Sequence, residues 1–141
     1  TGEIATAFDR HLALAVPLRL LLVDDHPTNR MLGFKVLERL GYAADVASSG
    51  KETLALLEQR DYDVVFMDVQ MPEMDGLEAS RAITTRWSAA ERPRIVAMTA
   101  NAMQGDREMC IEAGMDDYLT KPIRVDRLVE ALAAVPVRNG R

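Results

Sequence analysis

The central stretch of the chain, residues 61–76, reads DYDVVFMDVQMPEMDG. Within it an apolar run, 64–67, leads directly into Asp68, and Val69 follows. A continuous apolar run of strand length is typical of a strand covered on both faces of a parallel sheet. Because a buried carboxylate without a partner is costly, we expect Asp68 at the end of this strand, at the edge of the core and beside other polar groups.

The composition indicates one ordinary domain. The chain has 141 residues, of which 48% are hydrophobic, enough for a core of its own. Its net charge of −5 provides no basic field for nucleic acid. The single cysteine, Cys110, excludes an internal disulfide and suits a reducing compartment. There is no apolar run of membrane-spanning length and no signal-peptide pattern, which predicts a cytoplasmic domain.

Segments of strand length alternate with helical patterns along most of the chain. The strand-like segments are 18–23, 42–47, 62–67, 94–98 and, more weakly, 117–120. Five such alternations predict a doubly wound α/β domain with a parallel sheet over residues 18–135.

Local sequence patterns predict where helices begin and end and which of their residues are buried. The first helix should begin at Pro27, end at Gly41 and bury a stripe formed by Leu32, Val36 and Leu40. Ser49 and Glu52 form a capping box ahead of the second helix. The last helix should bury Val125, Leu128, Val129, Leu132 and Ala133. Met71, in the loop after Asp68, is expected at the surface or facing a partner.

Both ends of the chain stand apart from this pattern. The chain begins Thr1-Gly2 rather than with Met, which we interpret as a fragment of a longer protein. In residues 1–17, Ile4, Phe8 and Leu12 recur every four residues, which predicts a helical linker from an upstream domain. Residues 136–141 are expected to form a C-terminal tail.

Polar residues follow the predicted strands at the points where the strands end. They are Asp24, Asp25, Asp68, Thr99 and Lys121. Any one of them alone would most often be a helix cap or a surface charge. In an open parallel sheet, however, the carboxyl ends of the strands meet along one edge. Three carboxylates there are tolerable around a hard cation, Mg²⁺ or Mn²⁺. Asp68 is then placed to act as a nucleophile that forms an acyl phosphate.

Four motifs together carry a resemblance to a known family. LLVDDHPTN (21–29), VVFMDVQMPEMDG (64–76), IVAMTANA (95–102) and DDYLTKPI (116–123) occur in the order and at the spacing of response-regulator receiver domains. The chain resembles this family over about residues 18–135. The resemblance implies a flavodoxin-like, five-stranded parallel sheet with strand order 2-1-3-4-5.

The resemblance also implies roles for the polar residues. Asp68 matches the aspartate that is phosphorylated, Asp25 the direct Mg²⁺ ligand, and Asp24 a ligand that acts largely through water. The backbone carbonyl of Gln70 matches a third protein contact to the metal. Lys121 matches the lysine that binds the phosphate.

Further matches concern the conformational switch and the rate of dephosphorylation. Thr99 matches the switch hydroxyl and Tyr118 the switch aromatic residue. The side chains of Gln70 and Asn101 occupy the positions that tune dephosphorylation in the family. Gly76 matches a small residue after the active-site loop, and the Lys121-Pro122 peptide bond is typically cis.

Within the family, the segments around the first acidic pair and from Met98 to Ile123 look like receivers of hybrid sensor histidine kinases. His26 stands where an asparagine is usual, outside the set of catalytic positions. The implied partners are a histidine kinase domain in the same polypeptide, a histidine phosphotransfer domain and a further docking protein. The parent kinase would tether the domain to the inner membrane.

Three other functions are weaker interpretations of the same residues. A phosphoaspartyl hydrolase of the haloacid dehalogenase type needs an aspartate at position 70, where this chain has Gln70. A dinucleotide-binding domain needs a glycine-rich turn after the first strand, where this chain has DDHPTN. A receiver that serves mainly as a docking module is expected to lack part of the site, yet Asp25, Asp68, Thr99 and Lys121 are all present.

Overall fold

The structure, a computed structural model, describes residues 18–69, 71, 75–88, 91–100, 104–121 and 124–133. Strands and helices alternate strictly along these residues. Their bounds are β1 Leu20–Val23, α1 Pro27–Arg39, β2 Asp45–Ala47, α2 Gly50–Gln59, β3 Val64–Asp68, α3 Gly76–Arg86, β4 Arg94–Thr99, α4 Gln104–Glu112, β5 Asp117–Thr120 and α5 Val125–Ala133. No helix of this described part combines the length and the hydropathy that a membrane crossing needs.

The strands form one parallel sheet in the order β2-β1-β3-β4-β5. This confirms the doubly wound fold and the strand order that the resemblance implied. In the register of the sheet, Met67 pairs with Val23 on one side, and Asp68 pairs with Met98 on the other. Because every pair is parallel, all the carboxyl ends lie along one edge.

The apolar run of β3 is buried on both faces of the sheet. Val65 and Met67 pack into a layer covered by α2, α3 and α4, whereas Val64 and Phe66 pack into a layer covered by α1 and α5. All four of these side chains are at most 1% exposed. Side chains alternate between the faces of a strand, so a strand buried on both faces has no polar position until it ends.

Two helix boundaries follow the local signals. The amide of Glu52 donates to Ser49 Oγ at 3.1 Å, and Glu52 Oε1 accepts from the amide of Ser48 at 2.6 Å. The predicted capping box is therefore confirmed, with the return bond one residue earlier than in the usual pattern. Gly41 ends α1 with a φ of 96°, a left-handed conformation that glycine adopts without a steric penalty.

The predicted buried stripe of α1 is wrong in part. Leu32 is 59% exposed, while Leu37 is 1% exposed. A Cβ atom on Gly33 would lie 3.0 Å from Leu22 Cδ2, so Gly33 faces the sheet. Leu40 is buried and Val36 packs against the core layer, as predicted, but the face toward the sheet also includes Gly33 and Leu37. The apolar pattern missed Gly33 because glycine carries no side chain. In α5, Leu128 and Leu132 are buried and Val129 packs against the core, as predicted, whereas Ala133 is exposed and Ala131 is buried instead.

Met71 was also predicted wrongly. It is 8% exposed and packs in the layer that contains Val65 and Met67. The chain after β3 is held against the domain, because the amide of Val69 donates to Met98 O at 3.0 Å and that of Gly76 donates to Val69 O at 3.0 Å. Met71 therefore packs against the core rather than facing solvent.

Two buried tyrosines at the amino ends of the strands make the fold sensitive to alkali. Burial raises the pKa of Tyr42 to about 12. Burial, and then the hydrogen bond from its hydroxyl to Asp45, raise the pKa of Tyr62 to about 12. In the unfolded chain both titrate near pH 10. The stability that they contribute is complete below about pH 10 and is lost as the pH rises toward 12, by up to about 1.4 kcal/mol per pH unit for each tyrosine.

We therefore expect the free energy of unfolding in urea to fall more steeply with pH between about 10 and 12 than between 7 and 9. The double variant Tyr42→Phe/Tyr62→Phe should be less stable than the parent at pH 7 but should show a shallower alkaline decline. Parallel declines for the parent and the variant would contradict this assignment.

Candidate functional site

Three carboxylates cluster at the carboxyl edge of the sheet. Asp24 and Asp25 directly follow β1, and Asp68 is the last residue of the neighbouring strand β3. Each contributes a carboxylate oxygen to a group whose atoms all lie within 4.8 Å of one another. Asp24 is 2% exposed and Asp68 is 5% exposed. Negative charges this close and this buried repel one another, so the cluster needs positive charge for stability.

Lys121 supplies part of that charge. Its Nζ lies 3.1 Å from Asp68 Oδ1 and 3.2 Å from Asp24 Oδ2. Burial lowers the pKa of Lys121, but the hydrogen bonds and charges of Asp68 and Asp24 outweigh that effect and raise the pKa above its ordinary value. The lysine is therefore a fixed cation at neutral pH. One ammonium against three carboxylates leaves an excess of negative charge at this edge.

The backbone at the end of β1 holds Asp24 in place. Asp24 Oδ1 accepts from the amide of His26 at 2.9 Å, and the amide of Asp24 donates to Ala47 O at 3.1 Å. Arg30 Nη1 donates to the carbonyl oxygen of Asp24 at 2.9 Å. Sequence reasoning missed Arg30, since no motif links an arginine in the first turns of a helix to the carbonyl oxygen of the preceding strand end.

Thr99 and Lys121 lie at the carboxyl ends of the neighbouring strands β4 and β5, Lys121 directly after β5, and are joined through the backbone. Thr99 is the last residue of β4, follows the register partner of Asp68 and is 8% exposed. The amide of Lys121 donates to Thr99 O at 2.7 Å. This bond holds the start of the lysine side chain beside the end of β4. The predicted convergence of Asp24, Asp25, Asp68, Thr99 and Lys121 on one edge is what the structure shows.

Tyr118 lies on β5, two residues before that strand ends. It pairs in register with Ala97 and is half-buried on β5. The guanidinium carbon of Arg107, on α4, lies 5.6 Å from the centre of its ring, within the range of a cation–π contact. Sequence reasoning missed Arg107, because its contact with β5 depends on how α4 packs against the sheet.

Some of the predicted positions lie outside the described residues. These are Gln70 with its carbonyl group, Asn101, and Pro122 with the peptide bond that precedes it. The predicted linker at 1–17 and tail at 136–141 lie outside them as well.

Gly76 is required by close packing at the site. A Cβ atom at this position would lie 2.2 Å from the carbonyl oxygen of Asp68 and 2.8 Å from Val69 Cα. The first residue of α3 therefore rests directly on the backbone that carries Asp68. Only glycine leaves room for that approach.

Comparison with protein families agrees with this geometry. The profile of the response regulator receiver domain matches residues 20–133, which include all five strands and the acidic cluster. The chain belongs to the response regulator receiver family. The matched range includes the acidic cluster, Thr99 and Lys121.

Curated relatives of this receiver include hybrid histidine kinases. It is 40% identical over 126 residues to the aerobic respiration control sensor protein ArcB of Escherichia coli K12, a match that covers 89% of the chain and 16% of ArcB. It is 35% identical over 121 residues to hybrid signal transduction histidine kinase K of Dictyostelium discoideum, covering 82% of the chain and 10% of that kinase. The receiver thus spans a small part of these relatives.

Solved structures show the same fold. The receiver domain of sensor histidine kinase PA1611 from Pseudomonas aeruginosa PAO1, with a magnesium ion coordinated in its active site cleft, is 39% identical with a TM-score of 0.74 over 82% of this chain and 93% of that one. The Saccharomyces cerevisiae Ssk1 receiver domain, in a co-crystal with the histidine phosphotransfer protein Ypd1, is 26% identical with a TM-score of 0.74 over 82% and 86%.

Proposed function

We propose that this receiver accepts a phosphoryl group on Asp68 from a phosphohistidine. The observation that carries the proposal is the position of Asp68, which ends a buried strand beside two further carboxylates and under the ammonium of Lys121. In the transfer, a carboxylate oxygen of Asp68 forms a bond to phosphorus while the bond from phosphorus to the donor nitrogen breaks. The product is an acyl phosphate, and the donor leaves as imidazole.

The donor set fits a bound Mg²⁺. The three clustered groups offer only carboxylate oxygens, the ligands that hard divalent cations prefer, and Lys121 leaves part of their charge unbalanced. We propose that Asp25 and Asp68 hold the ion directly, that Asp24 acts largely through water, and that the carbonyl of Gln70 completes the protein ligands. When bound, the cation offsets the negative charge of the incoming phosphoryl group.

Residues around Asp68 then contact the oxygens of the bound phosphoryl group. The ammonium of Lys121, which bridges Asp68 and Asp24, pairs with a phosphate oxygen. The hydroxyl of Thr99 donates to another oxygen, and Tyr118 follows by moving inward. These movements alter the surface formed by α4, β5 and α5, so phosphorylation shifts the population between two packings.

For the parent protein, we propose a hybrid histidine kinase. The match to hybrid kinases supports this, and the co-crystal of a related receiver with a phosphotransfer protein supports a histidine phosphotransfer domain as the second partner. In this arrangement residues 1–17 link the receiver to the upstream kinase domain. The parent kinase tethers the receiver to the inner membrane from the cytoplasmic side.

Phosphorylation by a small-molecule donor tests the proposal. Incubation of the chain with acetyl phosphate and Mg²⁺ should add the mass of one phosphoryl group, measured by mass spectrometry of the intact protein. The same incubation in excess EDTA should add none, since the carboxylate cluster would then lack its cation. A mass gain that is equal with and without EDTA would contradict the role of the metal.

Asp25 should matter more for the metal than Asp24. The carboxylate of Asp24 already accepts from the His26 amide and from Lys121, whereas Asp25 is partly exposed beside them. We expect Asp25→Ala to weaken Mg²⁺ binding at least about 10-fold in a calorimetric titration, and Asp24→Ala to weaken it less. Asp61→Asn, an exposed carboxylate beyond α2, is the matched control. Equal Mg²⁺ affinity in the parent and in Asp25→Ala would contradict the site.

A further inference from the structure

Arg30 lies beside the acidic cluster but pairs with none of its carboxylates. Its Nη1 instead donates to the backbone carbonyl oxygen of Asp24 at 2.9 Å, and the residue is half-buried. Other arginines, among them Arg60, Arg92 and Arg127, pair with carboxylates. Within the described part of the chain, Arg30 forms no ion pair. A guanidinium that binds a main-chain oxygen next to three carboxylates indicates a role in backbone geometry rather than in charge pairing.

The carbonyl group that Arg30 holds belongs to the peptide between Asp24 and Asp25. A peptide group is planar, so the direction of the Asp24 carbonyl also fixes the direction of the Asp25 amide and limits the positions open to the Asp25 side chain. The amide of Arg30 donates to His26 O at 2.9 Å, which anchors the arginine in the first turn of α1. Arg30 therefore joins the start of the helix to the peptide that leads into Asp25.

Asp25 depends on this peptide more than Asp24 does. The Asp24 carboxylate accepts from the amide of His26 at 2.9 Å and pairs with Lys121 Nζ at 3.2 Å. The Asp25 carboxylate accepts no hydrogen bond from the residues that the structure describes, and Asp25 is partly exposed. Among these residues, therefore, only its own backbone sets the direction of the Asp25 side chain toward the cluster.

We propose that Arg30 is a positioning residue for metal binding, which aims the Asp25 carboxylate into the cation site by fixing the Asp24–Asp25 peptide. This role rests on the proposed function, since it concerns the Mg²⁺ proposed to bind Asp25 and Asp68. Arg30 itself contacts neither the metal nor the phosphoryl group. Groups that orient a metal ligand in this way commonly contribute about 10- to 100-fold to metal affinity.

The sign of the effect on Mg²⁺ affinity separates positioning from simple electrostatics. Removal of a positive charge near a cation site should tighten Mg²⁺ binding, whereas loss of the positioning bond should weaken it. In calorimetric titrations we expect Arg30→Met to bind Mg²⁺ about 10-fold more weakly than the parent. Arg30→Lys should stay within about threefold of the parent, because lysine keeps the charge and a donor for this single hydrogen bond. Lys35→Met removes an equal charge from an exposed site on the same helix and should not weaken binding.

Ca²⁺ distinguishes a geometric effect from a general loss of structure. Mg²⁺ demands nearly octahedral geometry, whereas Ca²⁺ accepts irregular sets of oxygen ligands. A misdirected Asp25 should therefore weaken Mg²⁺ binding more than Ca²⁺ binding, and the Ca²⁺ affinity of Arg30→Met should stay within about threefold of the parent value. Urea unfolding of each variant without metal measures whether the fold is retained. Arg30→Gln, whose side chain is too short to reach the Asp24 carbonyl, is the second loss variant and should show the same pattern.

The inference is overturned if folded Arg30→Met or Arg30→Gln binds Mg²⁺ as tightly as the parent or more tightly. Equal losses of Mg²⁺ and Ca²⁺ affinity would overturn it as well, since geometry would then not be the cause. In both cases the parent still binds Mg²⁺, and the proposed function stands. A parent chain that binds no Mg²⁺ would instead refute the proposed cation site and, with it, the role of Arg30.

Discussion

Asp68→Asn should abolish the mass gain that acetyl phosphate and Mg²⁺ produce in the parent chain. The amide is nearly isosteric with the carboxylate, but it has no anionic oxygen to attack phosphorus. The substitution also removes one of three clustered negative charges, so the free energy of unfolding should rise or stay within about 1 kcal/mol of the parent value. Mass spectrometry and urea unfolding of the same sample measure both effects.

The stability measurement separates loss of chemistry from loss of fold. Asp61→Asn, at the other end of the sheet, is the control and should be phosphorylated at the parent rate. A mass gain that persists in Asp68→Asn would show that the phosphoryl group is carried elsewhere, and Asp68 would no longer be the acceptor. Unfolding of the variant at neutral pH would contradict the electrostatic account of the cluster.

Gly76→Ala should be strongly destabilising, by about 3 kcal/mol or more in urea unfolding. The new Cβ would lie 2.2 Å from the carbonyl oxygen of Asp68 and 2.8 Å from Val69 Cα, and both of these are backbone atoms. Relief requires α3 to move away from the end of β3, which strains the 3.0 Å hydrogen bond from the Gly76 amide to Val69 O. Phosphorylation should slow as well, because Asp68 is displaced with its backbone.

Gly33→Ala is the matched control for Gly76→Ala. Its Cβ would approach Leu22 Cδ2 at 3.0 Å, and that methyl group belongs to a side chain that can shift. Replacing glycine with alanine inside a helix gains about 1 kcal/mol, which should offset the crowding. We expect the stability of Gly33→Ala to lie within about 1 kcal/mol of the parent. A Gly76→Ala chain as stable as Gly33→Ala would show that the contact with Asp68 is not rigid.

The alternation of apolar runs and helical patterns was enough to predict the doubly wound sheet, because each element carries its own local pattern. The capping box at Ser49 and the end of α1 at Gly41 were readable for the same reason, since a cap depends on residues within one turn. Which residues of a helix face the core was harder to predict from the sequence. The stripe of α1 includes Gly33, and an apolar count gives a glycine no weight.

The sequence alone determined which residues form the acidic edge. Asp24, Asp25, Asp68, Thr99 and Lys121 each end or directly follow a strand, and parallel strands bring their carboxyl ends together at one edge. Only the tertiary structure decided how these groups contact one another. The bridge from Lys121 to Asp68 and Asp24 and the burial of Met71 depend on distances between elements far apart in the chain. Such distances are set by how helices pack on the sheet, and local residue patterns do not encode them.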